Sequence, residues 1–190
     1  MGMPAATDSR YWTPDDVWAL PDDGNRYECI DGMLLVTPSP RWSHQELVLA
    51  FADRLRTWVN AQRVGRMLIA PADVRLTRTA LVQPDVFIAQ PRGDGSPAQE
   101  KDADLRLLLA IEILSPSTAR RDRTVKRAFY QHAGVEYWIV DPDARVVERW
   151  FPDDERPEVL SASLTWQPAG AGDALVIDLE ELFRDALSGA

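Results

Sequence analysis

Apolar residues along this chain fall into short branched runs and into stretches with helical spacing, separated by clusters of turn residues. Thr13-Pro14-Asp15-Asp16 reads as a helix start, with a capping threonine, a proline at the first helical position and acids at the positive helix end. That helix is short and ends before Leu20-Pro21-Asp22-Asp23-Gly24. Residues 26–30 and 33–37 flank Asp31-Gly32, which predicts a hairpin. Ser43-His44-Gln45-Glu46 has the capping-box pattern, and Val48, Phe51, Leu55, Trp58 and Val59 then recur at helical spacing, so a helix is expected over about residues 44–61.

Three short branched runs follow, at residues 67–70, 73–77 and 82–89, each predicting a strand. Residues 90–104 break the pattern with Pro91, Gly93, Gly95, Pro97 and many charges, and read as a long loop. The most apolar run, 105–114, predicts a buried central strand. A helix over 118–133 and a buried strand over 137–140 come next, then two strands, 145–151 and 159–166, read as an antiparallel extension. Asp178-Leu179-Glu180-Glu181 opens a last helix whose Leu179, Leu182, Phe183, Ala186 and Leu187 form one apolar stripe. The expected fold is α/β: a mixed central β-sheet flanked by helices, with an antiparallel C-terminal extension.

Length and composition narrow this picture. The 190 residues fit one domain, 45% of them are apolar, and such a chain buries roughly 70% of its unfolded surface. Residues 1–12 are expected to be flexible. Cys29 is the single cysteine, which excludes an internal disulfide and favours a reducing compartment. No basic leader and no apolar run approaching 18 residues is present, so a soluble, cytoplasmic protein is expected. The net charge of −9 would repel nucleic acid as a whole. Arg120, Arg121, Arg123, Lys126 and Arg127 nevertheless place five positive charges within eight residues. Lysine is otherwise rare, with 2 Lys against 19 Arg.

Glu112 is the anomaly, a carboxylate inside Leu107-Leu108-Leu109-Ala110-Ile111-Glu112-Ile113-Leu114, where it needs a cation, a metal or a proton. Asp85 poses the same question at the start of Val86-Phe87-Ile88. Two carboxylates at the ends of neighbouring strands can present oxygens to one hard divalent ion such as Mg²⁺. Lys126, on the helix that leaves the Glu112 strand, could then hold or deprotonate an attacking water. Each residue also has a plainer reading: Asp85 as a turn aspartate, Glu112 as half of a buried ion pair with an arginine, Lys126 as part of a solvated helix face or as the i to i+4 partner of Asp122. Ser115 and Ser117 do not make a serine hydrolase, because no Gly-x-Ser-x-Gly elbow exists and only His44 and His132 are available as base.

Pro84-Asp85, then Glu112-Ile113-Leu114-Ser115-Pro116-Ser117-Thr118, then Asp122, Lys126, Tyr130 and Gly134-Val135-Glu136-Tyr137-Trp138-Ile139-Val140-Asp141-Pro142 together resemble the Uma-two endonuclease family of the PD-(D/E)XK nuclease superfamily. Arg26-Tyr27-Glu28-Cys29-Ile30-Asp31-Gly32 and the Ser43-His44 helix start extend the resemblance over about residues 13–142, leaving 143–190 as C-terminal strands and helix. It implies a restriction-endonuclease-like core and metal-dependent hydrolysis of nucleic acid, DNA foremost. In the implied mechanism Asp85, Glu112 and the Ile113 backbone carbonyl hold Mg²⁺ or Mn²⁺ and Lys126 aligns water. The superfamily lysine belongs two residues after the glutamate, where this chain has Leu114, so the resemblance implies that Lys126 replaces it from the next helix. Glu28, which matches a family glutamate, His44 and Tyr130 are supporting candidates, each with a structural alternative: an ion pair, a solvated histidine, packing on the sheet. Arg120, Arg121, Arg123 and Arg127 are candidates for nucleic-acid contact, and a homodimer is expected on base rates. The competing expectation is a non-catalytic oligomerising or partner-binding domain on the same fold.

Overall fold

In the computed structural model, residues 10–91 and 105–188 are described. The expected loop therefore lies, from residue 92 on, outside the described residues, as does most of the expected flexible lead. Residues 10–12 are held: the Trp12 N–H donates to the Gly32 carbonyl at 3.0 Å, and the Arg10 guanidinium lies 4.2 Å from the Trp12 ring centre.

Helix α1 (Pro14–Trp18) starts at Thr13, whose hydroxyl accepts from the Asp16 N–H while the Asp16 carboxylate accepts from the Thr13 N–H. Strands β1 (Arg26–Ile30) and β2 (Met33–Thr37) form the expected hairpin, with Asp31 and Gly32 both at positive φ in the turn. Helix α2 (Trp42–Gln62) begins two residues before the expected start. Its N-cap is Arg41, without a side-chain cap bond, so the Ser43 capping box is not used; this helix start is exposed and water can take up its free N–H groups.

Strands β3 (Arg66–Ile69), β4 (Val74–Thr77), β5 (Ala80–Val82) and β6 (Val86–Pro91) follow. The single strand expected over 82–89 is thus two strands. Pro84 has no N–H to give a ladder, and at Gln83-Pro84-Asp85 the chain leaves one sheet for another. Strand β7 (Leu105–Ile113) is the expected apolar run. The helix expected over 118–133 is broken in type: α3 (Ala119–Arg121), a π-helical turn (Asp122–Lys126) and α4 (Arg127–His132). Strands β8 (Glu136–Asp141), β9 (Val146–Trp150), β10 (Glu158–Leu160), β11 (Ser163–Trp166) and β12 (Leu175–Asp178) precede helix α5 (Leu179–Leu187), capped by Asp178. The strand expected over 159–166 divides between β10 and β11, which pair with different partners, and β12 was not anticipated.

A six-stranded sheet runs β10-β9-β8-β7-β6-β3, with β7 parallel to β8 and antiparallel to β6. A four-stranded sheet runs β2-β1-β5-β4, and β11-β12 form a separate pair. Because strand residues alternate between faces, the large sheet buries two cores. One face carries Val86, Ile88, Leu109, Ile111, Ile113, Trp138 and Val140 against α2, α5 and the β11-β12 pair. The other carries Phe87, Ala110, Tyr137 and Ile139 against the four-stranded sheet and α4. The candidate chemistry lies on this second face.

Candidate functional site

Register places the first two carboxylates. Phe87 pairs with Ala110 and Val86 with Ile111, so one further step sets Asp85 opposite Glu112, both on the second face. Alternation on β1 sends Arg26 and Glu28 to the same side of the four-stranded sheet, which packs over that face. The π-helical turn supplies Asp122 and Lys126, both buried, from the layer above. Four separate elements thus deliver one buried polar cluster into an otherwise apolar layer.

Asp85 is 2% exposed and both of its oxygens are occupied. Oδ1 accepts from Arg26 Nη1 at 2.8 Å; Oδ2 accepts from the Ile113 N–H at 2.9 Å and stands 3.0 Å from His44 Nε2. Burial alone would raise its pKa, but the His44 contact and charge, the Arg26 charge and the Ile113 N–H outweigh burial and hold it at about 2. Glu112 behaves in the opposite way. Burial pushes its pKa well above the ordinary range, Lys126 pulls it down, and Asp85, Asp122 and Glu28 push it further up. Two neighbouring acids with opposed affinities for a proton are what a site needs if one must stay ionised and the other must respond to its occupant.

Lys126 is 1% exposed and its Nζ lies 2.7 Å from Glu112 Oε1 and 2.8 Å from Glu28 Oε2. Burial works against its charge, but Glu112, Glu28 and Asp122 more than compensate, so the ammonium is held protonated above its ordinary range. Glu28 is anchored in turn by the Gln83 N–H, which donates to Oε1 at 2.8 Å. Asp122 is raised by burial against the pull of Lys126, and its Oδ1 has no hydrogen-bond partner among the described residues.

A cavity of about 550 Å³ opens over this cluster, lined by Arg26, His44, Asp85, Glu112, Asp122 and Arg121 among others. Lys126, Glu28 and Tyr130 do not line it; they back its wall. The Tyr130 ring packs 4.7 Å from that of Tyr137, and its hydroxyl has no hydrogen-bond partner among the described residues, so it makes no bond to Lys126. Burial and the surrounding carboxylates push both tyrosines well above their ordinary pKa. The Ser115 hydroxyl is 3.1 Å from those of Ser117 and Thr118 rather than on a histidine, as the absence of a hydrolase elbow anticipates.

The arginine bank is dispersed. Arg121 lines the cavity and is bound to the Val36 carbonyl and the Thr37 hydroxyl; Arg123 lines it too, but is paired with Glu148 at 2.6 Å and Asp141 at 2.7 Å. Arg127 stacks over Trp150 at 4.8 Å and Arg120 is exposed, and neither lines the cavity. Sequence reasoning overlooked Arg26 and left Asp122 as a surface partner for Lys126. The i, i+2 spacing of Arg26 and Glu28 was the available signal for the first.

The mixed α/β sheet thus carries buried acids on facing strand ends beneath a polar cavity. The fold is shared with a crystal structure of a putative nuclease belonging to DUF820 from Anabaena variabilis ATCC 29413: TM-score 0.71, 24% identity, covering 92% of this chain and 99% of that one. No curated protein matches the chain. The Uma2 family model, described as a putative restriction endonuclease, matches residues 14–184, and the chain belongs to that family. The resemblance drawn from the motifs alone is thereby confirmed, and extends beyond residue 142 into the C-terminal strands and helix. No helix among the described residues is long and apolar enough to cross a membrane.

Proposed function

We propose that this protein is a divalent-metal-dependent endonuclease that hydrolyses phosphodiester bonds of nucleic acid, DNA foremost, with Asp85, Glu112 and the Ile113 carbonyl holding Mg²⁺ or Mn²⁺. The observation that carries the reading is the buried excess of acid. Glu28, Asp85, Glu112 and Asp122 are all buried; Lys126 serves Glu28 and Glu112, Arg26 and His44 serve Asp85, Arg121 comes no nearer to Asp122 than 3.8 Å, and three of the four acids line the cavity.

The donor set fits a hard cation. Among the described residues no three His, Cys, Asp or Glu side chains are placed to hold a metal by themselves, but Mg²⁺ commonly takes one or two carboxylates and keeps several waters. The Ile113 N–H already points to Asp85, and in an extended strand the carbonyl of a residue faces the same side as its N–H. Asp122 Oδ1 is buried, with no hydrogen bond among the described residues and only the distant Arg121 Nε at 3.8 Å, which leaves room for a bound water. When present, such an ion stabilises developing charge on the phosphoryl oxygens and lowers the pKa of its water.

The chain's own residues do the rest. Arg26 and His44 keep Asp85 ionised and fix both of its oxygens. Lys126, held protonated and set behind the wall, is a positioning residue that orients Glu112 and Glu28 rather than a base that takes a proton. Arg121, bound to the Val36 carbonyl and the Thr37 hydroxyl, ties the cavity wall to β2. Titration of the purified protein with Mn²⁺ by calorimetry, followed by plasmid nicking with and without EDTA, tests the reading. Binding near one equivalent and EDTA-sensitive nicking are expected; no cleavage of any nucleic acid with Mn²⁺ would favour the non-catalytic domain.

A further inference from the structure

Trp42 stands apart from every other large apolar side chain among the described residues. It is 90% exposed, against 66% for Val176 and 60% for Val159, the next most exposed. Among the described residues no aromatic ring and no guanidinium packs on it, whereas Trp12, Trp18, Trp58, Trp138, Trp150 and Trp166 all have such a partner. Its position is not random. Trp42 is the first residue of α2, and its two chain neighbours, Arg41 and Ser43, both line the cavity. One turn further on, Leu47, Val48 and Phe51 fix the helix in the core, and Pro38 and Pro40 stiffen the chain that leads into it. The indole is thus a ring with no stacking partner among the described residues, on a rigid mount at the rim of the candidate active site.

The charge distribution indicates what such a ring is for. The chain carries −9 overall, and of the four arginines that line the cavity three are engaged: Arg26 on Asp85, Arg123 on Glu148 and Asp141, Arg121 on the β2 backbone and Thr37; Arg41, beside Trp42, is exposed and has no ion pair among the described residues. A duplex gripped through its phosphates needs a field of free cations, and one unpaired arginine is not such a field. Bases of a single strand offer π-faces instead, and stacking on an aromatic side chain strengthens binding about five- to a hundredfold per base whatever the base. Bases inside a duplex are stacked on each other and present no free face.

We propose that Trp42 is the stacking platform for an unpaired base, and that the cavity takes single-stranded nucleic acid. The proposal rests on the nuclease reading of the cavity and names its substrate class. It is tested without catalysis, by fluorescence anisotropy in EDTA with labelled dT12, labelled U12 and a blunt DNA hairpin duplex. The expected result is tighter binding of the single strands than of the duplex. Trp42→Ala should weaken single-strand binding about tenfold, Trp42→Phe should keep it within about threefold, and duplex binding should not respond. Comparison of dT12 with U12 shows whether DNA or RNA is the source of the strand. Equal single-strand affinity for wild type and Trp42→Ala, or a wild type that prefers duplex, overturns the proposal. Mn²⁺-dependent cleavage of labelled dT12 and U12 separates this from the wider reading: cleavage with indifferent Trp42 removes the platform alone, whereas Trp42-dependent binding without cleavage of either strand or of plasmid keeps the platform and removes the nuclease. A wild type that neither binds nor cleaves removes both.

Discussion

On one face of the six-stranded sheet, Ile111, Ile113, Trp138 and Val140 pack against α2 and α5 with no charge among the buried residues; on the other, one residue along the same strands, Glu112 and Asp85 enter a layer that also holds Glu28, Asp122 and Lys126. The backbone is shared, so the difference lies in what each face must satisfy. The first face gains by removing apolar area from water, about 25 cal/mol per Å², and tolerates any side chains that fill its volume. The second gains little from its ion pairs, because taking charges out of water costs about as much as pairing them returns, while removing one partner leaves the rest exposed to that cost. A buried network of this kind is a poor way to stabilise a sheet and a good way to hold chemistry at fixed positions.

The sharpest way to break this contrast is to remove its hub. Lys126→Met should cost about 3–5 kcal/mol in urea denaturation, because three acids lose their cation, and adding Glu28→Gln and Glu112→Gln should recover most of it. On the apolar face, Trp166→Ala should cost a similar amount, about 3–5 kcal/mol, with no recovery from the same glutamines. If Lys126→Met costs under about 1 kcal/mol, the two faces do not differ in kind. Lys126→Arg is expected to lie between, at about 1–3 kcal/mol, because a larger planar head must enter a fully buried slot.

Glu112→Gln separates function from stability. It removes a charge that burial and three neighbouring acids disfavour, so the thermal midpoint should hold or rise, while metal-dependent nicking should fall about a hundredfold or more. A large stability loss with unchanged metal binding would instead make Glu112 half of a structural pair.

Acid titration sharpens the same face. Asp85 is depressed from 3.8 to about 2, so its stabilisation, about 2 kcal/mol, is fully present above about pH 4 and disappears as pH falls through about 2. Asp85→Asn should flatten that acid limb of the urea stability curve. The smallest effect belongs to Arg123→Ala. Its pairs with Asp141 and Glu148 are partly solvated, so it should cost under about 1 kcal/mol and leave binding of dT12 nearly unchanged.

Much of the sheet was legible because alternation and turn chemistry are local. Asp31-Gly32 fixed the hairpin, and the run 105–114 could only be an interior strand. Where tertiary needs overrode local pattern, reading failed. Ser43 carried a good capping signature, but α2 starts at Trp42; Pro84 divides a run whose branched residues all favour strand; and the stretch 159–166 serves two sheets. The cluster around Glu112 was visible through one property, charge inside an apolar run. Arg26 was not, because an arginine on a hairpin carries no such contradiction until Asp85 is known to face it. The Arg120–Arg127 bank misled for a related reason: sequence shows where positive charges are, and not which acids have already claimed them.

The dispersal of the cluster over β1, the entry to β6, the end of β7 and the π-helical turn has a consequence for the life of the molecule. No stretch shorter than residues 26–126 contains Arg26, Glu28, Asp85, Glu112 and Lys126 together, and β1 meets Lys126 only once the small sheet has docked on the large one. A chain still on the ribosome, a truncated product or a proteolytic fragment therefore lacks the assembled cluster, and whatever chemistry the site performs arrives only with the finished tertiary structure; incompleteness is a form of latency.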